Sequence, residues 1–150
     1  MYYIGLALFI VILLLISGLS GAPTAFIDFP SLIVIFGISV PILMASGLFK
    51  DFMRGFKVMS SKDNLYTPVE LKRTLVAINL ASRALILSGI IGTFTGIVGM
   101  LVHIDKISMI GPSFAVAILT VIYALVFTGM IMPIKFRVEA VLSTFSSIEQ

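Results

Sequence analysis

The fold class follows from one stretch of the chain, since residues 84–102 read ALILSGIIGTFTGIVGMLV and contain no charged side chain. A helix of about 20 apolar residues crosses the roughly 30 Å hydrocarbon core of a bilayer. Three further uncharged apolar runs occupy residues of about 1–20, 31–49 and 111–134. Backbone polar groups in lipid must be satisfied within the segment, so all four runs are expected to be helices. The sequence predicts an all-α membrane protein, with four transmembrane helices forming a single domain over residues 1–150.

The composition excludes several other classes of protein. Hydrophobic residues make up 59% of the chain and charged residues 11%, whereas a soluble domain carries about 25% charged residues. The chain has no cysteine and a single histidine, His103, which leaves little for a metal site or a nucleophilic dyad. The ten basic residues flank apolar runs, so the net charge of +3 does not indicate a nucleic-acid partner. We therefore expect neither an enzyme nor a bound cofactor.

The first apolar run allows a second interpretation. Residues 17–22 (SGLSGA) resemble the cleavage region of a signal peptide. However, no lysine or arginine precedes the run, and its apolar part is longer than the about 7–15 residues of such signals. We interpret the run as a membrane helix.

The distribution of basic residues predicts the orientation. The loop 50–83 carries seven of the ten lysines and arginines, and Lys135 and Arg137 follow the fourth run. With four spans these nine share one side, and Lys106 alone lies opposite. By the positive-inside rule, that side is cytoplasmic, and both termini lie there with it.

Two features of the cytoplasmic loop predict local structure. Apolar residues recur at helical spacing over residues 49–56 with basic residues between them, which predicts an extension of the second helix at the headgroup boundary. Thr67, Pro68 and Glu70 form a capping-box pattern, and no helix breaker follows before Gly89. The third helix should therefore have about 35 residues, or roughly 50 Å, and extend into the cytoplasm.

None of the four spans has an ionisable side chain near its middle. Ion-coupled carriers usually keep such a group inside the membrane. The nearest candidates, Asp28, His103 and Asp105, lie at the outer ends of spans. If ions cross, the titrating group must come from another polypeptide.

Small residues form a stripe on the third span and another on the fourth. Gly89, Gly92, Gly96 and Gly99 are spaced by three or four residues, with Thr93 and Thr95 beside them. The fourth span carries Ser113, Ala117, Thr120, Ala124 and Thr128. One interpretation is close packing of neighbouring helices. The other is a narrow pathway in which threonine hydroxyls coordinate an ion, although such hydroxyls also bond to their own helix.

Three further residues stand at the ends of spans or interrupt them. Asp28 precedes Pro30 and Ser31, a pattern that favours a helix cap over ion binding. Pro41 predicts a kink or an end of the second helix, and Pro133 stands at the cytoplasmic end of the fourth.

Several stretches resemble one family. Residues 26–37 (FIDFPSLIVIFG), 89–101 (GIIGTFTGIVGML) and 110–123 (IGPSFAVAILTVIY), followed by Pro133-Ile134, resemble the MotA/TolQ/ExbB proton channel family. The resemblance covers all four spans in order. It is closest to flagellar motility protein A (MotA), because TolQ and ExbB proteins have three spans.

The resemblance implies an assembly and a function. Members form a homopentamer in the bacterial inner membrane around a dimeric, MotB-like, single-span partner whose membrane Asp carries H⁺ or Na⁺. Ion flow turns the ring about the partner. This chain would then be an ion-conducting stator subunit of a motor, as in flagellar motility.

The resemblance also implies roles for particular residues. Thr93 and Thr120 match positions whose hydroxyls face the partner's Asp, and Pro133 matches a proline tied to coupling and closing the fourth helix. Asp28 matches an acid near the outer mouth. The stripe of Gly89, Gly92 and Gly96 would let helices approach the partner.

Two departures from the family limit this interpretation. The family's third-span proline falls on Ile86, and the cytoplasmic loop of 34 residues lacks a match for the charges that contact a flagellar rotor. The alternative function is a non-conducting structural ring that scaffolds a cell-envelope complex. A small multidrug transporter fits less well because it needs a membrane carboxylate, and a holin would not require these ordered motifs.

Overall fold

The computed structural model of the chain describes residues 2–19, 27–60 and 66–146. Within these ranges every regular element is a helix, which confirms the predicted all-α class. The helices are α1 (Tyr2–Leu19), α2 (Phe29–Ala45), α3 (Phe49–Ser60), α4 (Pro68–Val102) and α5 (Ile107–Ser146). Met1 and Ser20, the predicted limits of the first span, lie outside the described residues, as do residues 21–26 between the first two predicted spans.

The long helices α4 and α5 form the centre of the molecule. They are joined by the short turn 103–106 and pack along their length as an antiparallel pair. Gly89 lies against Ala124, and Gly99 lies against Ser113. This register brings the first turn of α4 beside the last turns of α5. Helices α2 and α3 each pack on both α4 and α5.

Helix α4 begins where the sequence predicts. The Thr67 hydroxyl accepts from the backbone N–H of Glu70 at 3.3 Å, and the Glu70 carboxylate accepts from the backbone N–H of Thr67 at 3.0 Å. This capping box satisfies two donors that the first helical turn would otherwise leave without partners. The helix then continues without a break for 35 residues, as the absence of a helix breaker before Gly89 indicated.

The helix predicted over residues 49–56 is present as α3, but the prediction that it continues the second helix is wrong. Helix α2 ends at Ala45, and α3 starts at Phe49 at an angle of 104° to it. Gly47 lies between them with φ of +69°, a left-handed conformation that side chains with a Cβ atom adopt only at a cost. The chain therefore turns a corner at residues 46–48. Pro41 does not end α2, which continues four residues beyond it.

The fourth helix also departs from its predicted limits. Pro133 was expected to close it, but α5 continues to Ser146. Ile134 and Val138 follow the proline and are fully buried at 1% and 0% exposure. Burial of these side chains in the core stabilises the helical continuation, which offsets the hydrogen bond that the proline nitrogen cannot donate.

The best-packed core lies at one end of the bundle, which we call the charged end (residues 49–60, 68–83 and 135–146). Most of the fully buried large side chains are at or near this end, among them Leu71, Ile78, Ile134 and Val138. They cluster with Val58 of α3. The charged end is thus a compact unit built from three helices.

The rest of the bundle exposes large apolar side chains. Leu14 of α1 is 66% exposed, Phe94 of α4 is 64% exposed and Leu125 of α5 is 61% exposed. Extended apolar surface of this kind is unfavourable in water and normal against lipid. The molecule therefore has the surface of a membrane protein over this part.

By helix length and apolar composition, the described part of the chain supports fewer membrane crossings than the four that the sequence predicts. Among the described residues, α4 and α5 are each long and apolar enough to span a membrane, and the bent pair α2 and α3 would add a third span if counted as one. Helix α1 is apolar but shorter. A total of four crossings stays a prediction.

Candidate functional site: the α4–α5 helix pair

The glycine stripe of α4 lies against the small-residue stripe of α5 in the same chain. A Cβ atom added at Gly89 would lie 2.6 Å from the Ala124 side chain, and one at Gly96 would lie 2.8 Å from the backbone nitrogen of Ala117. Carbon atoms in contact are normally about 3.5–4.0 Å apart. The packing interpretation of the stripes thus describes their arrangement, and α5 covers the glycines. The expectation that Gly89, Gly92 and Gly96 let helices approach a partner stays a prediction.

Thr120 lies inside this contact. Its side chain has 0% exposure, and a Cβ atom at Gly92 would lie 2.7 Å from its methyl group. Its hydroxyl donates within its own helix, toward the carbonyls of Val116 at 3.0 Å and Ala117 at 3.1 Å. In the single chain, Thr120 is therefore sealed between α4 and α5. Its expected position facing a partner's carboxylate stays a prediction.

Thr93 is placed differently. Its side chain is half-buried, and its hydroxyl lies 2.9 Å from the Gly89 carbonyl of its own helix and 3.2 Å from the Ala117 carbonyl of α5. Thr95 lies on an exposed face, and its hydroxyl bonds to its own helix, to the carbonyl of Ile91 at 2.9 Å. Of these two threonines, Thr93 therefore places a hydroxyl at the line where α4 and α5 meet.

Thr93 also lines a groove between the two helices. The groove has a volume of about 320 Å³ and is open to the outside of the bundle. Apolar side chains form the rest of its wall: Ile97, Met100, Phe114, Ala117, Ile118, Val121 and Ile122. We call it the Thr93 groove. The threonine is the single residue of this lining that carries a polar side chain.

Asp28 is the N-cap of α2. Its carboxylate accepts from the backbone N–H of Ser31 at 2.9 Å and from the Ser31 hydroxyl. Its backbone N–H donates to the Tyr123 hydroxyl of α5 at 3.0 Å. The cap expected from the sequence is present, and its role at an outer mouth stays a prediction. The bond to Tyr123 could not be predicted, because nothing in the sequence pairs residues 95 positions apart.

Pro133 lies far along α5 from the Thr93 groove. It is exposed on the helix surface beside the buried Ile134. The structure does not bring it together with Thr93 or Asp28. Its proposed role in coupling would have to act through the helix and stays a prediction.

An ion-pair cluster at the charged end joins α3 to α4. The Asp51 carboxylate, 6% exposed, lies 2.6 Å from Arg54 and 3.2 Å from Arg73, and Arg54 also lies 3.7 Å from Glu70. Burial of a charged side chain is costly unless it is paired, and here two guanidinium groups supply the pairing. Arg54 and Arg73 of the loop thus stabilise the contact between α3 and α4 through their ion pairs with Asp51. The spacing of Asp51 and Arg54 was visible in the sequence, but the approach of Arg73 is tertiary.

Glu70 lies in the first turn of α4, where its carboxylate is part of the capping box. Hydrogen bonds from the backbone N–H and hydroxyl of Thr67 lower the pKa of its carboxyl below the usual value of 4.5, and Arg54 acts in the same direction. These donors favour the charged form. The carboxylate is therefore ionised at neutral pH and strengthens the start of α4.

Comparisons with known proteins leave the family open. No model of a protein family matches the chain, and no curated protein matches it significantly in sequence.

Proposed function

We propose that the chain is a membrane subunit of an oligomeric ion channel that resembles the MotA type. In this proposal several copies surround a MotB-like, single-span partner, and the partner's membrane Asp carries H⁺ or Na⁺. The observation that supports the proposal is the Thr93 groove, an open apolar groove with one hydroxyl, on helices whose apolar stretches lack an ionisable group. Such a wall suits a helix that brings its own carboxylate.

The proposal includes four crossings of the bacterial inner membrane, with both termini and the charged end in the cytoplasm. Helices α1 and α2 have 18 and 17 residues, or about 27 and 26 Å at 1.5 Å per residue. Hydrocarbon cores of about 30 Å accommodate such a mismatch at fractions of a kcal/mol per Å. Helices α4 and α5 have 35 and 40 residues and are therefore longer than the bilayer is thick. Both extend into the charged end on the cytoplasmic side, where basic residues are enriched in membrane proteins.

The experiment that tests ion conduction compares two threonines of the same helix. We expect Thr93→Val to lower ion flux in reconstituted vesicles containing the chain and its partner by about 2- to 12-fold, the effect of one hydrogen bond of roughly 0.5–1.5 kcal/mol. The matched control is Thr95→Val, which also removes a hydroxyl bonded to its own helix but lies outside the groove. The control should conduct normally.

The outcomes separate conduction from the alternative function. Thr120→Val should conduct normally as well, because its hydroxyl is sealed between α4 and α5. Equal flux for all three variants and the unmodified chain, or no flux above protein-free vesicles, would contradict conduction through the groove. Intact complexes without flux would favour a structural ring that scaffolds an envelope complex.

A further inference from the structure

A second cavity lies at the corner between α2 and α3, and we call it the elbow cavity. It has a volume of about 250 Å³ and is bounded by residues of all five helices. Leu43, Leu85 and Ile131 form its inner wall and are buried at 4–8% exposure. Phe36 and Phe56 lie at its rim and are 43% and 41% exposed. The cavity therefore opens from the core of the bundle to the outside.

The walls are closely packed at two aromatic pairs and are almost wholly apolar. Phe36 packs edge-on against Phe127 at 4.9 Å, and Phe52 packs edge-on against Phe56 at 5.5 Å between ring centroids. The one hydroxyl in the lining belongs to Ser39, and it donates to the carbonyl of Ile35 at 2.7 Å. No wall group therefore needs water. Apolar cavities of about 150 Å³ already stay dry and bind hydrocarbon ligands.

Helix α3 borders this cavity and presents different side chains on its different sides. It meets α2 at 104°, so if α2 runs along the bilayer normal, α3 lies nearly in the plane of the membrane. One side of α3 packs on the bundle through Gly55 and Val58. A second side exposes apolar residues that include Met53 and Phe56, at 39% and 41% exposure.

The remaining side of α3 is basic. Lys50 and Lys57 are seven residues apart and thus lie on one stripe of the helix, next to the exposed apolar side. Both are exposed, and within the described ranges neither ammonium group forms an ion pair. Helices with this division of basic and apolar sides lie at the headgroup level and attract anionic lipids. Arg54, by contrast, already forms an ion pair with Asp51.

We propose that the elbow cavity binds one acyl chain of an anionic phospholipid, whose phosphate contacts Lys50 and Lys57. The apolar lining recognises the chain, and the adjacent basic stripe selects the charge of the headgroup. Long lysine side chains can lie along the apolar side and reach the phosphate. The lipid would fill the corner between α2, α3 and the α4–α5 pair and fix the angle of the elbow. This inference requires that the chain lies in a membrane and does not depend on ion conduction.

Fluorescence quenching tests the proposal directly, because the chain has no tryptophan. A Phe56→Trp variant places a single reporter at the rim of the cavity. The variant is reconstituted into phosphatidylcholine vesicles that contain increasing fractions of phosphatidylglycerol brominated on its acyl chains. We expect quenching to saturate at a low fraction of the anionic lipid. Each lysine near an anionic lipid contributes about fivefold in affinity, so brominated phosphatidylglycerol should be preferred over brominated phosphatidylcholine by about 25-fold.

Charge variants on the same background identify the headgroup contact. Lys50→Gln combined with Lys57→Gln should reduce the preference to near unity. The control Lys106→Gln removes a lysine at the opposite end of the bundle and should leave it unchanged. Equal quenching by both brominated lipids in the Phe56→Trp parent would show ordinary boundary lipid and overturn the proposal. Absence of quenching would also overturn it, and would indicate that protein covers the cavity.

A pair of valine substitutions tests the cavity itself by an independent readout. Val40→Phe introduces a larger side chain into the cavity wall, whereas Val98→Phe makes the same change on an exposed face of α4. Native mass spectrometry after mild extraction should show one retained phosphatidylglycerol for the unmodified chain and for Val98→Phe, and at least tenfold less for Val40→Phe. Equal retention by the two variants would contradict binding in the cavity, and displacement by free inorganic phosphate would contradict recognition of the acyl chain.

Discussion

Gly96 and Ala117 set the distance between α4 and α5. The glycine has no side chain where a Cβ atom would lie 2.8 Å from the Ala117 backbone. The helix axes can therefore approach more closely than two larger residues would allow. The spacing of these glycines fits both a pore-lining motif and close packing of two helices. Only the structure shows which atoms of α5 lie against each glycine.

This close approach predicts a large difference between two glycine substitutions. We expect Gly96→Ala to destabilise the chain by about 1–3 kcal/mol, because the added methyl group meets backbone that cannot rotate away. Gly37→Ala in α2 adds the same group where nothing lies within 4 Å, and should be neutral or stabilise by up to about 1 kcal/mol. Thermal unfolding followed by circular dichroism in detergent measures both. Similar melting temperatures for the two variants would contradict the packing account.

At the scale of elements, sequence patterns were most informative where the determining contacts are local. The start of α4 was predictable because Thr67 and Glu70 bond to each other's backbone within one turn. The corner at Gly47 was missed because residues 46–48 continue an apolar run, and the glycine was the sole sign of a break. The end of α5 was missed although the sequence carries a strong local signal, Pro133. Burial of Ile134 and Val138 in the core is a tertiary effect, and it outweighs the tendency of the proline to end the helix.

The capping box predicts a dependence of stability on pH. The pKa of Glu70 is lowered in the folded chain from 4.5. Its contribution to stability is therefore fully present above that value and is lost as pH falls through the lower folded pKa. We expect the melting temperature of the unmodified chain to fall between pH 5 and pH 3, both taken as approximate limits of this transition.

The Glu70→Gln variant isolates this contribution. It keeps a side-chain acceptor but has no charge to lose, so its melting temperature should fall less over the same pH interval. The other carboxylates, including Asp51, are common to both proteins and cancel in the comparison. An identical fall in the two proteins would show that Glu70 does not contribute.

The whole molecule combines a compact charged end with an apolar part whose side chains face outward. The class of the fold was predictable because an uncharged apolar run of about 20 residues is typical of a transmembrane helix. The site was predictable only in part. Spacing placed Thr93 and Thr120 on similar stripes, but only the register of α4 against α5 shows that Thr120 is sealed and Thr93 borders a groove.

The proposed assembly would use the same surface. Residues on the open sides of α4 and α5, such as Phe94 and Leu125, would contact lipid, neighbouring copies or a partner. The proposed function assigns the Thr93 groove to the partner helix. In a ring, each copy would present this groove to the centre, and the charged ends would lie together on the cytoplasmic side.

The most direct measurement is imaging of the chain purified in mild detergent, alone and after co-expression with any single-span, Asp-bearing membrane protein that is encoded beside it. The account predicts a closed ring of five copies with two central helices, each bringing an Asp to the level of Thr93. The chain purified alone should lack the central helices. A dimer would contradict the account. A closed ring whose centre stays without partner helices under co-expression would also contradict it, and would favour a structural ring that scaffolds an envelope complex.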